Sequence, residues 1–233
     1  MEAQMIAVGF MAGTSRNCKV ERWAPPTAIP DSSIATVVSL IRQSGISMSE
    51  NIGSEYLSDA LRNFRSYKKL AEEALAQTSD KDIFRLIDPE ANSIAILIKH
   101  MAGNMRSRWT DFLTTDGEKP YRRRDQEFEI DPNTTRSDVM EWWERGWQCV
   151  FQAIIPLTPE DLNRKVFIAG REHSVLQAIT RQLLHYAGHV NQIVLLAKHF
   201  RGAAWKSLSI PKGQSETYAR QFEQQHAARS EAS

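Results

Sequence analysis

Cysteine is scarce in this chain. Among 233 residues there are two cysteines, Cys18 and Cys149, and they lie far apart in unlike surroundings. A disulfide framework or a cysteine zinc site needs several cysteines at short, regular spacings, so the sequence favours neither. Such low cysteine usage is typical of a reducing compartment, and we expect the protein in the cytoplasm.

Long apolar runs and an excess of one charge are also missing. No run approaches the roughly 20 apolar residues of a membrane-spanning helix. The apolar stretch at residues 5–12 lacks the basic flank and cleavage site of a secretory signal. Lys and Arg total 29 against 28 Asp and Glu, so no long-range field attracts nucleic acid or an anionic membrane. The expected partner is therefore a small molecule or another protein.

The chain divides into three segments by pattern. Residues 1–48 mix short apolar runs with three prolines and show no sustained period, which predicts a poorly ordered extension. Met48 directly precedes the first strongly patterned segment, which makes it a candidate for the true start codon. Residues 49–214 carry the apolar periodicity of a folded domain, and residues 215–233 form a polar tail.

Four amphipathic helices are predicted in the patterned segment. Ser54, Thr135 and Ser174 are good N-terminal capping residues, and each precedes a run with apolar residues at helical spacing. A strand pattern is limited to a small hairpin around Ala169 and Gly170. The predicted helices cover residues 54–77, 92–113, 135–154 and 174–199.

These elements predict an all-α fold, a four-helix bundle. Residues 114–134, between the second and third helices, are longer than a tight antiparallel turn requires, so we expect at least one long crossover connection. After the fourth helix, Trp205, Leu208 and Ile210 predict an extended segment that packs on the bundle before a frayed polar end.

Two histidines share one face of the fourth helix. His185 and His189 are four residues apart, so their rings stand one turn from each other and could chelate one ion. The same face continues through Arg181, Gln182 and Gln192, a polar strip that is costly to bury unless something binds it. On spacing alone, histidines in this arrangement are more often solvated or hydrogen-bonded residues than ligands.

A third histidine, His100, lies in an apolar run of the second helix. Gly103 follows it by one turn, where a neighbour or a ligand could approach the backbone closely. Three imidazoles from two helices would leave positions open for water or substrate, as in a catalytic metal site. Imidazole nitrogen suits zinc, nickel, iron and copper alike, so the ligands alone do not select the ion.

The sequence around these histidines resembles a known superfamily. The run HYAGHVNQI and the block NSIAILIKHMAGNMRSRWTDFLTTDGEKPYRRRDQEFE are similar to the DinB-like, or YfiT-like, metalloenzymes, in a branch known only as a domain of unknown function. The resemblance covers about residues 49–214. It implies a four-helix bundle, commonly a homodimer, in which His100, His185 and His189 bind zinc, nickel or a related divalent ion.

Relatives in that superfamily include transferases that use low-molecular-weight thiols such as bacillithiol or mycothiol, and a maleylpyruvate isomerase. The resemblance carries no single reaction over to this branch. It favours a metal-dependent transferase or hydrolase that acts on a small molecule with a low-molecular-weight thiol or water as nucleophile. The alternatives are a non-catalytic module that binds metal or a small ligand, and a structural dimer that uses no metal.

Several polar residues near the histidines are candidates for ligand binding. Asn104 and Arg108 follow His100 on its helix, Arg124 and Asp125 lie in the crossover, and Gln192 extends the face of the other two histidines. We expect them to line the mouth of a pocket; the alternative is an ion-pair network that holds the crossover to the bundle.

Two further features have simple interpretations. The run from Arg122 to Arg124 is followed at once by four acidic residues, which favours a solvated salt-bridge loop over a nucleic-acid site. Asn191 stands where the branch usually has glycine, and by helical angle it points about 120° from His185. It is therefore expected to alter packing or dimerisation rather than a ligand.

Overall fold

The structure is a computed structural model that describes residues 48–230, with the side chains of residues 51–224. Of the predicted N-terminal extension, residues 1–48, all but Met48 lies outside this range. The all-α prediction is confirmed, and none of the described helices is long and apolar enough to cross a membrane. The elements are α1 (Met48–Leu75), α2 (Asp80–Ile83), α3 (Ile94–Trp109), α4 (Arg136–Ile154), β1 (Lys165–Ile168), β2 (Arg171–Ser174), α5 (Val175–Arg201) and α6 (Ser215–Ser230), with 3-10 turns at Asp125–Phe128, Pro159–Asn163 and Gly202–Ala204.

Local capping chemistry sets the starts of three helices. The side chains of Ser93, Thr135 and Ser174 each accept a hydrogen bond from the backbone N–H three residues further on. At Thr135 and Ser174 the third residue also bonds back, which completes a capping box. Gly202 ends α5 with φ of 56°, a conformation that favours glycine. These boundaries agree with the sequence prediction, and so does the hairpin β1–β2.

Two helix boundaries differ from the prediction. α1 already includes Met48, so Ser54 lies inside the helix and does not cap it. α3 ends at Trp109 and not near Leu113, because Thr110 is already extended, with ψ of 127°, and Asp111 follows with φ of 47°.

The tail after α5 also differs from its prediction in part. Trp205 and Leu208 pack against the core as expected, whereas Ile210 is exposed. The polar segment that was predicted to fray forms α6. Its described side chains, residues 215–224, are all exposed.

The neighbouring helices α3 and α4 run in the same direction. Lys99 on α3 lies over the Trp142 ring on α4, and one turn further along both helices Ala102 meets Gly146, where an added Cβ would lie 3.1 Å from the Ala102 Cα. Two parallel helices that follow each other in sequence need a connection that returns along the bundle. Residues 110–135 make this connection, called the crossover below; the prediction had placed it at residues 114–134.

The remaining pair of long helices, α1 and α5, is also parallel. Tyr56 near the start of α1 donates to the Leu176 carbonyl oxygen near the start of α5 at 2.9 Å, and Phe64 further along packs on Tyr186 at 6.0 Å between ring centroids. Phe64 and Tyr186 both contact the buried Trp147 of α4. This aromatic cluster fixes the rotation of α5 about its axis, and therefore the side of the bundle on which His185 lies.

Candidate metal centre

Three histidines from two antiparallel helices meet on one side of the bundle. His100 of α3 lies beside His189 of α5, with 5.0 Å between ring centroids, while Trp109 further along α3 donates its Nε1–H to the Tyr186 hydroxyl at 3.0 Å. His100, His185 and His189 each offer a ring nitrogen, and these nitrogens lie within 4.8 Å of one another. The structure therefore brings together the three residues predicted as ligands. Their binding of a metal stays a prediction.

Hydrogen bonds fix the protonated nitrogen on two of the rings. His100 Nδ1 lies 2.9 Å from the Glu127 Oε2, and His189 Nδ1 lies 2.8 Å from the Gln192 Oε1. A carboxylate or amide oxygen only accepts, so each Nδ1 carries a proton, and in a neutral ring the Nε2 then has the free lone pair. This is the arrangement in which an outer oxygen orients a histidine ligand.

The third histidine, His185, contacts His189 through a ring nitrogen. His185 Nε2 lies 3.0 Å from His189 Nε2. Because the His189 Nε2 bears a lone pair, His185 must either donate a proton to it or share a cation with it. A cation bound by both nitrogens would leave His100 Nε2 as the third donor.

Burial keeps two of these imidazoles neutral. Desolvation lowers the pKa of His185 to about 3, and His189, His100, Arg108 and Arg122 act in the same direction through their charges. Desolvation also lowers the pKa of His189, although the hydrogen bond to Gln192 opposes the shift. Neutral imidazole is the form that binds metal ions, so these rings need not lose a proton at neutral pH.

We expect the metal-free protein to lose stability as the pH falls below 6.5. The pKa of His185 is about 3 in the folded chain and 6.5 when unperturbed. Between these values the unfolded chain binds more protons, so the free energy of unfolding decreases as the pH decreases. Urea unfolding in a chelator from pH 7 to pH 4 measures the slope. His185→Gln should flatten it and His199→Gln, an exposed control on α5, should not; equal slopes in the two variants would contradict the assignment.

A buried carboxylate from the crossover supports His100. Glu127 accepts from Arg122 Nε at 2.8 Å and from Arg122 Nη2 at 2.9 Å, and it also bonds His100. Burial raises the pKa of Glu127, but the hydrogen bonds from Arg122 and His100 outweigh it and hold this pKa below its usual value. Glu127 is therefore an ionised acceptor that ties the crossover to α3.

The prediction of a solvated salt-bridge loop is wrong for two of its residues. The side chains of Arg122 and Glu127 are only 4% and 8% exposed, whereas Arg123 and Arg124 are exposed as expected. The crossover can approach α3 this closely because of Gly103, where an added Cβ would collide with the Glu127 carboxylate and lie 2.7 Å from its Cδ. The sequence indicated a close approach at Gly103 but did not reveal the carboxylate that makes it.

A cavity of about 290 Å³ opens on two of the histidines. Of the predicted binding residues, Asn104, Arg108 and Arg124 line it. Gln192 does not, but bonds His189, and Asp125 is exposed and away from the lining. The full lining consists of His100, Asn104, Arg108, Glu118, Arg122, Arg124, Arg181, Gln182 and His185.

Two of these residues also bond other parts of the protein, and Arg108 does so to the crossover, as in the alternative interpretation. Asn104 accepts from the Tyr186 hydroxyl at 3.0 Å, and Arg108 bonds the Gly117 carbonyl oxygen and Glu118 in the crossover. Asn191 is exposed and donates its side-chain amide to the carbonyl oxygen one turn back in α5, so it faces away from the histidines.

Comparison with known proteins places the chain in a family. A family model described as "Protein of unknown function (DUF1572)" matches residues 51–214, a span that includes the three histidines and Glu127. The chain belongs to this family. No curated protein and no solved structure matches the chain. The family description names no activity, so the chemistry of the site is argued from its geometry.

Proposed function

We propose that this DUF1572 protein is a DinB-like metalloprotein in which His100, His185 and His189 hold a divalent ion. The observation that carries the proposal is the convergence of three imidazole nitrogens within 4.8 Å. Their protonation supports it, because Glu127 and Gln192 each hold a proton on the outer nitrogen of a ring.

The residues present fit such an ion. Bonds of about 2.0–2.1 Å from zinc to imidazole nitrogen place tetrahedral ligands roughly 3.4 Å from one another. The Nε2 atoms of His185 and His189 are 3.0 Å apart, and the three ligand nitrogens lie within 4.8 Å of one another, so their spacing is close to that of ligands around one ion. Zinc or nickel is the proposed ion, and the nitrogen donors also suit iron or copper.

The proposed activity is a transfer to a small molecule with a low-molecular-weight thiol or water as nucleophile. When bound, the divalent ion would lower the pKa of a thiol or water in an open position, since three neutral imidazoles leave its charge uncompensated. The cavity beside His100 and His185 would hold the second reactant, and Asn104 and Arg108 at its wall would orient it. The proposed form is a homodimer, for which the exposed Leu184 of α5 offers an apolar contact.

Elemental analysis tests the metal directly. Protein prepared without a metal-binding affinity tag should contain about one divalent ion per chain. Dialysis against a chelator should remove it and lower the melting temperature, and zinc or nickel should restore both. A preparation with less than about a tenth of an ion per chain, and with a melting temperature that added ions leave unchanged, would refute the proposal.

A turnover assay then separates catalysis from binding. The loaded protein is incubated with a small thiol, such as bacillithiol or mycothiol, and an electrophile such as a chlorodinitrobenzene. A thioether product that the metal-free protein does not form supports a transferase. A stoichiometric ion without any product supports the alternative of a non-catalytic binding module.

A further inference from the structure

The cavity beside the histidines carries an excess of positive charge. Four arginines and one carboxylate line it, the carboxylate being Glu118. Glu118 is shared between Arg108 Nη2 at 2.9 Å and Arg122 Nη1 at 3.5 Å. These two arginines are therefore at least partly neutralised by the protein itself.

The other two arginines are not neutralised. Arg124 has its guanidinium over the Phe128 ring at 5.3 Å, and neither it nor Arg181 forms an ion pair with any residue that the structure describes. Arg124 precedes the 3-10 turn of the crossover, and Arg181 lies on α5 one turn before His185. Two uncompensated guanidinium groups on separate elements thus line one cavity, and guanidinium is well suited to carboxylate and phosphate.

Two buried polar atoms at the same cavity lack hydrogen-bond partners. Arg108 and Gln182 are 8% and 3% exposed, and within residues 51–224 no group bonds the Arg108 Nε or the Gln182 Oε1. Leaving such groups unpaired is costly. Because both atoms are enclosed, the exposed side chains of Arg124 and Arg181 are the groups that an occupant of the cavity can reach.

We propose that this cavity binds a small organic anion, with its carboxylate or phosphate held by Arg124 and Arg181. A volume of about 290 Å³ is at the lower end for ligand pockets, which restricts the occupant to a small molecule. Since His100 and His185 line the same cavity, the anion lies next to the candidate metal centre. The inference rests on the proposed function for the chemistry at that centre, and it names the substrate class.

Calorimetric titration of the full-length protein tests the anion preference. The probes are malate and glycerol 3-phosphate, each paired with a neutral counterpart, malamide and glycerol. We expect at least one anion to bind roughly tenfold more tightly than its counterpart, because charged hydrogen bonds are stronger than neutral ones. The stronger of the two anions identifies carboxylate or phosphate as the preferred group. Failure of both anions to bind at about 10 mM overturns the proposal.

Charge-neutral variants locate the binding site. Arg181→Gln and Arg124→Gln should each raise the dissociation constant of the preferred anion roughly tenfold. Arg201→Gln is the matched control, because Arg201 is an exposed arginine at the far end of the same helix as Arg181 and does not line the cavity. Equal affinity in the Arg181→Gln and Arg201→Gln proteins would overturn the assignment.

Titrations with and without zinc keep this inference distinct from the metal proposal. Zinc bound without any anion binding contradicts the anion site and leaves the metal site standing. Anion binding by a protein that takes up no zinc contradicts the metal site and leaves the anion site standing. Tighter anion binding in the zinc-loaded protein is the expected result, since the ion adds positive charge beside His185.

Discussion

Replacement of His185 by alanine is expected to abolish retention of a divalent ion. The remaining nitrogens come from different helices, and His189 loses the neighbour whose Nε2 lies 3.0 Å away. Loss of an outer hydrogen-bond partner alone typically weakens metal affinity 10- to 100-fold. Loss of a ligand should weaken metal affinity further, so the protein should retain less than about a tenth of an ion per chain after gel filtration. Elemental analysis of the gel-filtered protein gives the result.

His199→Ala is the matched control for this experiment. His199 lies on the same helix but is exposed, and its ring contacts Phe200 and not the cluster. The control should retain the same metal content as the unmodified protein. Equal retention by the two alanine variants would exclude His185 as a ligand. Far-ultraviolet circular dichroism confirms in each case that the helices have formed.

Glu127→Ala should lower the free energy of unfolding by about 3–5 kcal/mol, the typical penalty when one charge of a buried ion pair is left without its partner. The Arg122 side chain is 4% exposed and would keep only its 3.5 Å contact with Glu118. The change should also weaken metal affinity roughly 10- to 100-fold, because His100 would lose the acceptor that fixes its Nδ1 proton. Urea unfolding in a chelator measures the first effect, and competition with a zinc indicator measures the second.

Two further variants show whether the buried pair of Arg122 and Glu127 causes the loss of stability. Glu129→Ala removes an exposed carboxylate from the same segment and should change stability by less than about 0.5 kcal/mol. The double variant Arg122→Gln with Glu127→Gln removes both charges and should be more stable than Glu127→Ala. An unfolding midpoint of Glu127→Ala that equals that of Glu129→Ala would show that the ion pair contributes nothing.

Sequence reasoning was accurate where the physical cause is local. Thr135 and Ser174 start helices through bonds to residues three positions away, so their effect is visible in a short window. His185 and His189 share a face for the same reason. His100 was a candidate from its apolar run and Gly103, and the family resemblance implied it as a ligand, because no local pattern specifies which side of α3 meets α5.

Glu127 was missed because its role depends on contacts distant in sequence. Its bond to His100 spans 27 residues and crosses a segment without any periodic pattern. A run of mixed charges in such a segment is normally solvated. The one local indication was Gly103, which shows that something approaches α3 but not what it is. The polar strip through Arg181 and Gln182 was recognised, whereas the cavity that it lines depends on the path of the crossover.

The histidine cluster can form only after α5 has been synthesised, because His100 lies on α3 and the other two histidines lie on α5. During synthesis α3 and the crossover leave the ribosome before α5, so the contact between His100 and Glu127 can exist while His185 and His189 have yet to emerge. A nascent chain at that stage offers a single preoriented imidazole. Any ion held by all three histidines could therefore be bound fully only after the last long helix has docked.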